Sequence, residues 1–359
     1  MTAISRTAPQ VVAGAPLQKS LRRFTGRAAI FLVAAGLLTA FLMPLAYMAL
    51  TSLKDQTQMA DPSAPLYPAS PRTFVYEGEE LQIYAVPIDG VTRELAIVER
   101  GRESSEMIDP ADPGAGTFTW EGRWRTLQPA YVFDPKVENF ETAWNGIEYP
   151  KLLRNTAIIA TLSTIGAVGS AILVAYGFSR FRFPGRGPMF MVLLATIMLS
   201  AQVTLVPTYI LFTRLGWTGT WLPLIIPHFF ANAYNVFLLR QYFMTIPTDL
   251  DEAAMIDGAS PFRILRSVVM PQAIPAIVAV TLFHFFFAWN EFLMSLVYVG
   301  GNPDLWPLSL GMQKFAALYV TRPPLVQASA ILAIIVPVVV FFLSQRAFMR
   351  GVVITGVEK

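Results

Sequence analysis

Six stretches of this chain carry almost no charge, and each is long enough to cross a lipid bilayer. That pattern limits the fold more than any other feature. Ala28–Leu50 is the clearest case, with 23 residues and no charged side chain. A helix rising 1.5 Å per residue needs about 20 apolar residues to cross a ~30 Å hydrocarbon core. The other stretches are about Asn155–Phe178, Pro188–Phe212, Leu222–Leu239, Ala273–Val299 and Val326–Ser344. In hydrocarbon every backbone polar group must be bonded within its own segment, so the spans read as helices. Composition agrees: 54% of the 359 residues are hydrophobic and 14% are charged, against about 25% charged in a soluble domain. With no cysteine and two histidines, there is no material for a disulfide framework, a thiol nucleophile or a multi-histidine metal centre.

Charge placement orients the spans. Residues 1–27 are polar and irregular, then basic through Lys19, Arg22, Arg23 and Arg27. The apolar run that follows exceeds a signal-peptide core and has no A-x-A site after it, so it reads as an uncleaved signal-anchor helix. Basic residues gather at Arg180, Arg182 and Arg186, at Arg240, Arg263 and Arg266, and at Arg346, Arg350 and Lys359. The loop after the third span has only Arg214, and the loop after the fifth has Lys314 and Arg322. The positive-inside rule therefore places both termini, the Arg180 loop and residues 247–275 in the cytoplasm.

Residues 51–150 are different material. Pro62, Pro65, Pro68 and Pro71 make a stiff, extended linker. Thr73–Tyr76, Leu81–Val86 and Glu94–Val98 read as strands, with Asp89-Gly90 a hairpin turn. Thr117–Trp120 and Arg123–Leu127 flank Glu121-Gly122, a second hairpin candidate. Acidic residues outnumber basic ones. The expectation is a small β-rich extracytoplasmic insert at about 72–133, between helices 1 and 2.

Pro247–Pro275 is a polar island between two spans. Asp249 followed by Glu252 has the spacing of a capping box, and acids crowd the first turn where the helix dipole favours them. Ala253 and Ala254 leave the next turn without bulk. Gly258 suits a left-handed helix end. Ser260 then Pro261 is an N-cap followed by Pro at the first helical position. A second helix carrying Phe262, Leu265, Val268 and Val269 stops at Pro271. The expected form is helix, turn, helix, presenting a knob of small residues.

The run Glu252-Ala253-Ala254, three residues, Gly258, nine residues, Val268-Val269-Met270-Pro271 resembles the EAA loop of permease subunits in binding-protein-dependent ABC importers. Val and Met stand where the family pattern has Ile and Leu. Other stretches resemble the second permease subunit of the maltose-type carbohydrate branch. They are Pro207 in Leu205–Tyr209, the run Phe237–Phe243, Trp289-Asn290-Glu291-Phe292, and the ending Gln345–Gly351 with Gly356 and Lys359. The resemblance covers 28–60 and 135–359 but not the insert.

It implies an all-α integral membrane protein of six transmembrane helices, with the type I ABC importer permease fold. Residues 1–27 would be a cytoplasmic segment, 28–50 the first span, 51–150 the external loop, 151–346 the core permease domain and 347–359 a cytoplasmic tail. The implied location is the bacterial cytoplasmic (inner) membrane. The implied partners are a second homologous permease, an ATP-binding subunit dimer, an extracytoplasmic solute-binding protein and membrane lipid, with no nucleic acid. The implied solute is a sugar or a related compound. ATP and Mg would be used by the partner ATPase, with no cofactor on this chain and no catalytic residue. Consistently, none of the six lysines follows a glycine, so no phosphate-binding G-x-x-x-x-G-K-[ST] loop exists. The resemblance assigns ATPase coupling to Glu252, Ala253, Ala254, Asp257, Gly258 and Pro271, and a tail contact to Arg350, Gly351 and Gly356.

Glu291 is the only acid within an expected span, and a charge there is costly enough to be a functional candidate. His284 lies two helical turns earlier, on the same face. Two readings stay open. Trp289, Asn290, Glu291 and His284 could line the substrate pathway, with Trp289 stacking on a sugar, or Glu291 could fix helix packing by hydrogen bonding. His228, after Pro227 in a broken span, reads as a satisfied structural residue. The alternative function is a proton-coupled secondary transporter using Glu291 and His284.

Overall fold

The structure, a computed structural model, describes residues 15–88, 90–316 and 321–354. Helix α1 (Ala15–Ser52) contains the first apolar run and begins well before it. Ile30, Phe31, Phe41 and Met43 on it are exposed, and it lies along the last helix, α15 (Pro323–Ile354). An apolar surface this long is stable only against lipid or another protein.

The chain then leaves the helical layer. Asp55 caps the short α2 (Gln56–Ala60), accepting from the Thr57 N–H at 2.7 Å. Strands β1 (Ala69–Pro71) and β8 (Tyr131–Phe133) pair antiparallel and clamp the two ends of the insert. Between them β2 (Thr73–Tyr76), β3 (Glu79–Ile88), β4 (Val91–Glu99), β5 (Ser104–Ile108) and β6 (Thr117–Glu121) form an antiparallel meander, and β7 (Gln128–Pro129) pairs with β3. Tyr84, Val86, Leu95, Ile97 and Met107 make one buried cluster. Leu81, Ile83, Ala96 and Ile108 make another, as alternation along a strand dictates.

The turns differ from expectation in an instructive way. Glu77 and Gly78, both at positive φ, form a two-residue turn between β2 and β3 that the sequence reading does not single out. At the expected Asp89-Gly90 turn, Ile88 pairs with Val91 and Gly90 has φ 80°; Asp89 lies outside the described residues. The hairpin expected at Glu121-Gly122 does not form. The Gly122 N–H donates to the Glu103 carbonyl at 2.7 Å, so the chain is held against the β4–β5 connection. Trp124–Thr126 is a 3-10 turn rather than a strand.

Helix α3 (Glu138–Gly146) leads into α4 (Tyr149–Arg180), whose buried side chains run its whole length. Gly166 of α4 lies so close to Phe229 that an added Cβ would sit 2.5 Å from the ring. Asn155 donates to the carbonyls of Asp304 and Trp306, and the Thr156 hydroxyl accepts from the Leu308 N–H at 2.7 Å. These bonds fix the loop carrying α14 (Leu308–Gly311) against α4.

Three of the expected spans are interrupted. The third becomes α5 (Arg186–Ala195) and α6 (Ala201–Arg214), bent by 99°. The fourth is α7 (Leu222–Ile225), a 3-10 turn containing Pro227, then α8 (Ala233–Phe243), whose cap Asn232 accepts from Tyr234 and Asn235. The island supplies α9 (Asp249–Ile256), α10 (Pro261–Ile264) and α11 (Met270–Gln272). The fifth expected span is α12 (Ile274–Trp289), a break at 290–292, and α13 (Leu293–Val299). Among the described residues, four helical stretches are long and apolar enough to cross a membrane, or six if each bent pair counts as one.

Candidate functional site

The island folds as two short helices around one glycine. Gly258 has φ 79° with open space around it, as a left-handed helix end requires. Ser260 accepts from the Arg263 N–H at 3.4 Å, and Pro261 holds the first position of α10. The capping box does not form. Asp249 is the first helical residue, its N-cap is Thr248, and no side chain caps the helix. The second helix also runs past Pro271. Pro271 cannot donate a backbone bond, and Leu265–Val269 widens into a π-helical turn just before it. The chain breaks at Ala273 and bends 84° into α12.

One residue of α9 has a task that first-turn position does not reveal. Asp251 is buried, and its Oδ2 lies 2.7 Å from Arg180 Nε at the end of α4, with both side chains under 10% exposed. The approach is a charge contact without hydrogen-bond alignment, and Asp251 Oδ1 has no hydrogen-bond partner. Arg180 also donates to the Ile246 carbonyl at 3.0 Å. Burial pushes the Asp251 pKa up, and Arg180 pulls it partly back. First-turn position alone would leave Asp251 to the helix dipole, but here it is committed to Arg180. With Ile264, Leu265 and Val269, which are buried in the bundle core, it fastens the island to α4.

The opposite side is open. Glu252, Ala253, Asp257, Gly258 and Pro271 are exposed and Ala254 is half-buried. Around them stand Met255, Ile256 at 87% exposure and Phe262 at 66%. The knob is thus apolar and bulky at its rim, not merely small. Phe262 points outward, whereas Leu265 and Val269 point in.

The intramembrane candidates do not form one cluster. Trp289 is buried, lies tilted against Phe285 with ring centroids 5.5 Å apart and donates from Nε1 to the Ala333 carbonyl at 3.3 Å. Trp289 and Asn290 border a cavity of about 570 Å³ between α1, α12 and α15. Glu291 borders a different cavity of about 330 Å³, with Thr208, His228, Ser295 and Tyr298. Its Oε1 accepts from the Met294 N–H at 2.9 Å, so the carboxylate caps α13 after the break. His284 is buried with Nδ1 3.5 Å from Asn235 Nδ2, and its ring meets His228 edge to face at 4.8 Å. The break at Asn290 ends the helical face that His284 and Glu291 were expected to share, and no hydrogen bond links them among the described residues. His228, beside His284 and on the Glu291 cavity, lies between the two, but no hydrogen-bonded path joins them among the described residues. In the tail, α15 continues to Ile354 through Arg350 and Gly351, while Gly356 lies outside the described residues.

Residues 167–354 match the model of the family described as binding-protein-dependent transport system inner membrane component. An osmoprotective compounds uptake permease protein of Synechocystis is 34% identical over 252 residues, 70% of this chain and 84% of that protein. An sn-glycerol-3-phosphate transport system permease protein of Rhizobium meliloti is 36% identical over 212 residues, 58% of this chain and 74% of that protein. Among solved structures, a chain of a bacterial ABC transporter that imports the acidic polysaccharide alginate aligns with a TM-score of 0.62. That alignment covers 95% of this chain and all of that one at 18% identity, a likeness of fold. None of these supports a proton-coupled secondary transporter.

Proposed function

The chain belongs to the family of binding-protein-dependent transport system inner membrane components, and from that premise we propose a division of labour along it. As a permease subunit of an ABC transporter with the type I importer fold, it has no ATPase of its own. We infer that it forms half of a channel for a sugar or related solute, beside a second, homologous permease. A cytoplasmic ATPase dimer would drive it, and an external solute-binding protein would load it. The wide apolar surfaces of α1, α6 and α15 would face lipid and the partner permease. Six spans would place both termini and the island in the cytoplasm, and the β-rich insert outside.

The observation that carries the reading is the two-sided island. Asp251 is locked to Arg180 inside the bundle, while Glu252, Ala253, Ile256 and Phe262 project from it unpartnered by the chain's own core. An exposed apolar patch rimmed by charge at the end of a membrane bundle is the surface of a protein contact. A rigid joint behind it lets movement of the island move α4. Asp257, Gly258 and Pro271 would shape the contact, and Arg350, Gly351 and Gly356 would add a second one from the tail. Glu291 would border the pathway, with Trp289 and His284 holding the helices behind it and Asn290 on the separate cavity beside α1 and α15. The test is co-purification from a membrane extract. The ATPase should be retained by the wild-type permease pair and lost after Glu252→Ala, with the permease still inserted. Equal retention by both would remove the island from coupling.

A further inference from the structure

The sheet carries a cluster that transport coupling does not use. The β4–β5 connection and the Trp124–Thr126 turn, tied by the Gly122–Glu103 bond, line a hollow of about 780 Å³. Arg100, Arg102, Arg123 and Arg125 converge on it around Trp124, and Glu103 is the one carboxylate in its wall. Among the described residues none of these four arginines makes an ion pair; the pairs that form lie elsewhere. Two of the guanidinium groups lie over the Trp124 ring, Arg100 at 4.9 Å and Arg125 at 5.5 Å from its centroid. Trp124 itself packs on the Leu95 and Met107 core, so the platform is fixed. Stacking of this kind restrains the arginine rotamers and leaves their N–H edges free. Four exposed cations with one carboxylate among them leave a local excess of positive charge, and a guanidinium fork fits the two oxygens of a carboxylate.

The hollow does not end at the arginines. A second one, of about 430 Å³, shares Trp124 and Arg125 and is walled by Tyr84, Gln128 and Asp61. Both volumes fall in the usual range for small-molecule sites, roughly 300–1,000 Å³. Together they suit a ligand longer than one ring, with anionic groups at one end and hydroxyls at the other. We propose that this double hollow binds a carboxylate-bearing oligosaccharide. The proposal rests on the transport reading and sharpens it, since it names an acidic saccharide as the solute class.

The test uses the permease pair with its co-purified ATPase in nanodiscs, titrated by calorimetry. The probes are tetrasaccharides of galacturonate and of glucuronate, with maltotetraose as the neutral control. A uronate tetrasaccharide binds, more weakly as salt rises, and maltotetraose does not. The pair Arg102→Gln with Arg123→Gln, which leaves the Trp124 stack intact, weakens binding at least tenfold, and Arg100→Gln with Arg125→Gln does the same. Binding of all three sugars alike, of none, or unchanged binding by both variants overturns the proposal. So does a wild type that binds no saccharide but binds added external binding protein that the variants do not, which would make the patch a protein contact. The same samples report whether the ATPase is present. Its absence defeats the transport reading, whereas its presence without saccharide binding defeats only this proposal.

Discussion

Asp251 and Glu252 are adjacent carboxylates on one short helix, and the fold gives them opposite surroundings. Asp251→Ala leaves the Arg180 guanidinium buried without a counter-ion, a change that typically costs about 3–5 kcal/mol. Replacing both partners, Arg180→Leu with Asp251→Leu, should recover most of that loss, because a well-packed apolar pair needs no desolvation of charge. Thermal unfolding of the purified permease pair, without the ATPase, across the double-mutant cycle measures it. Additive losses would show that the two side chains are not coupled. Glu252→Ala should leave unfolding unchanged, since the side chain is exposed, and weaken ATPase docking by about 2–5 kcal/mol if a buried basic partner is stranded. The sequence makes both residues legible as first-turn acids. The resemblance singles out Glu252 for coupling, but nothing in the sequence marks Asp251 as buried, because what holds it is Arg180 on another helix.

At the scale of elements, the apolar runs were legible, as was the break at Pro227 in the fourth, but the bends of the third and fifth were not. Counting apolar residues locates a span, but a break depends on a few capping groups whose partners are set in three dimensions. Ser200 with extended backbone, Asn232 as a cap and Glu291 accepting from Met294 are such groups. Glu291 gives a direct test. Glu291→Gln keeps an acceptor for α13, whereas Glu291→Ala removes it at about 0.5–2 kcal/mol, the usual worth of a cap. If the carboxylate serves packing, uptake survives the first change and falls with the second. Loss of uptake in both would show that the charge itself is needed in the pathway. Gly258 was readable in advance because only its own backbone decides it. With φ at 79° and no neighbour within reach, Gly258→Val strains the backbone alone. Stimulation of the ATPase by loaded binding protein should drop while the protein stays inserted, and normal stimulation would contradict that.

For the whole molecule, the sheet and the bundle divide the chain by chemistry. The insert could be read as strands from Gly and Pro punctuation, but its arginine cluster could not, since Arg100 and Arg125 meet only when β4 and the Trp124 turn are placed together. Clamped at both ends by β1 and β8, the insert should resist protease added from outside, with cutting confined to the linker near 61–68; rapid cutting within 73–121 would contradict a folded unit. On the coupling proposed for the island, its exposed side meets the ATPase. The natural chain has no cysteine, so a single cysteine reports one position. Ala253→Cys in the reconstituted complex, treated with a thiol-to-amine cross-linker, should join this chain to the ATPase subunit, while Val75→Cys in the insert should not. A cysteine at 253 that is labelled only from outside the membrane, or that never reaches the ATPase, would contradict it.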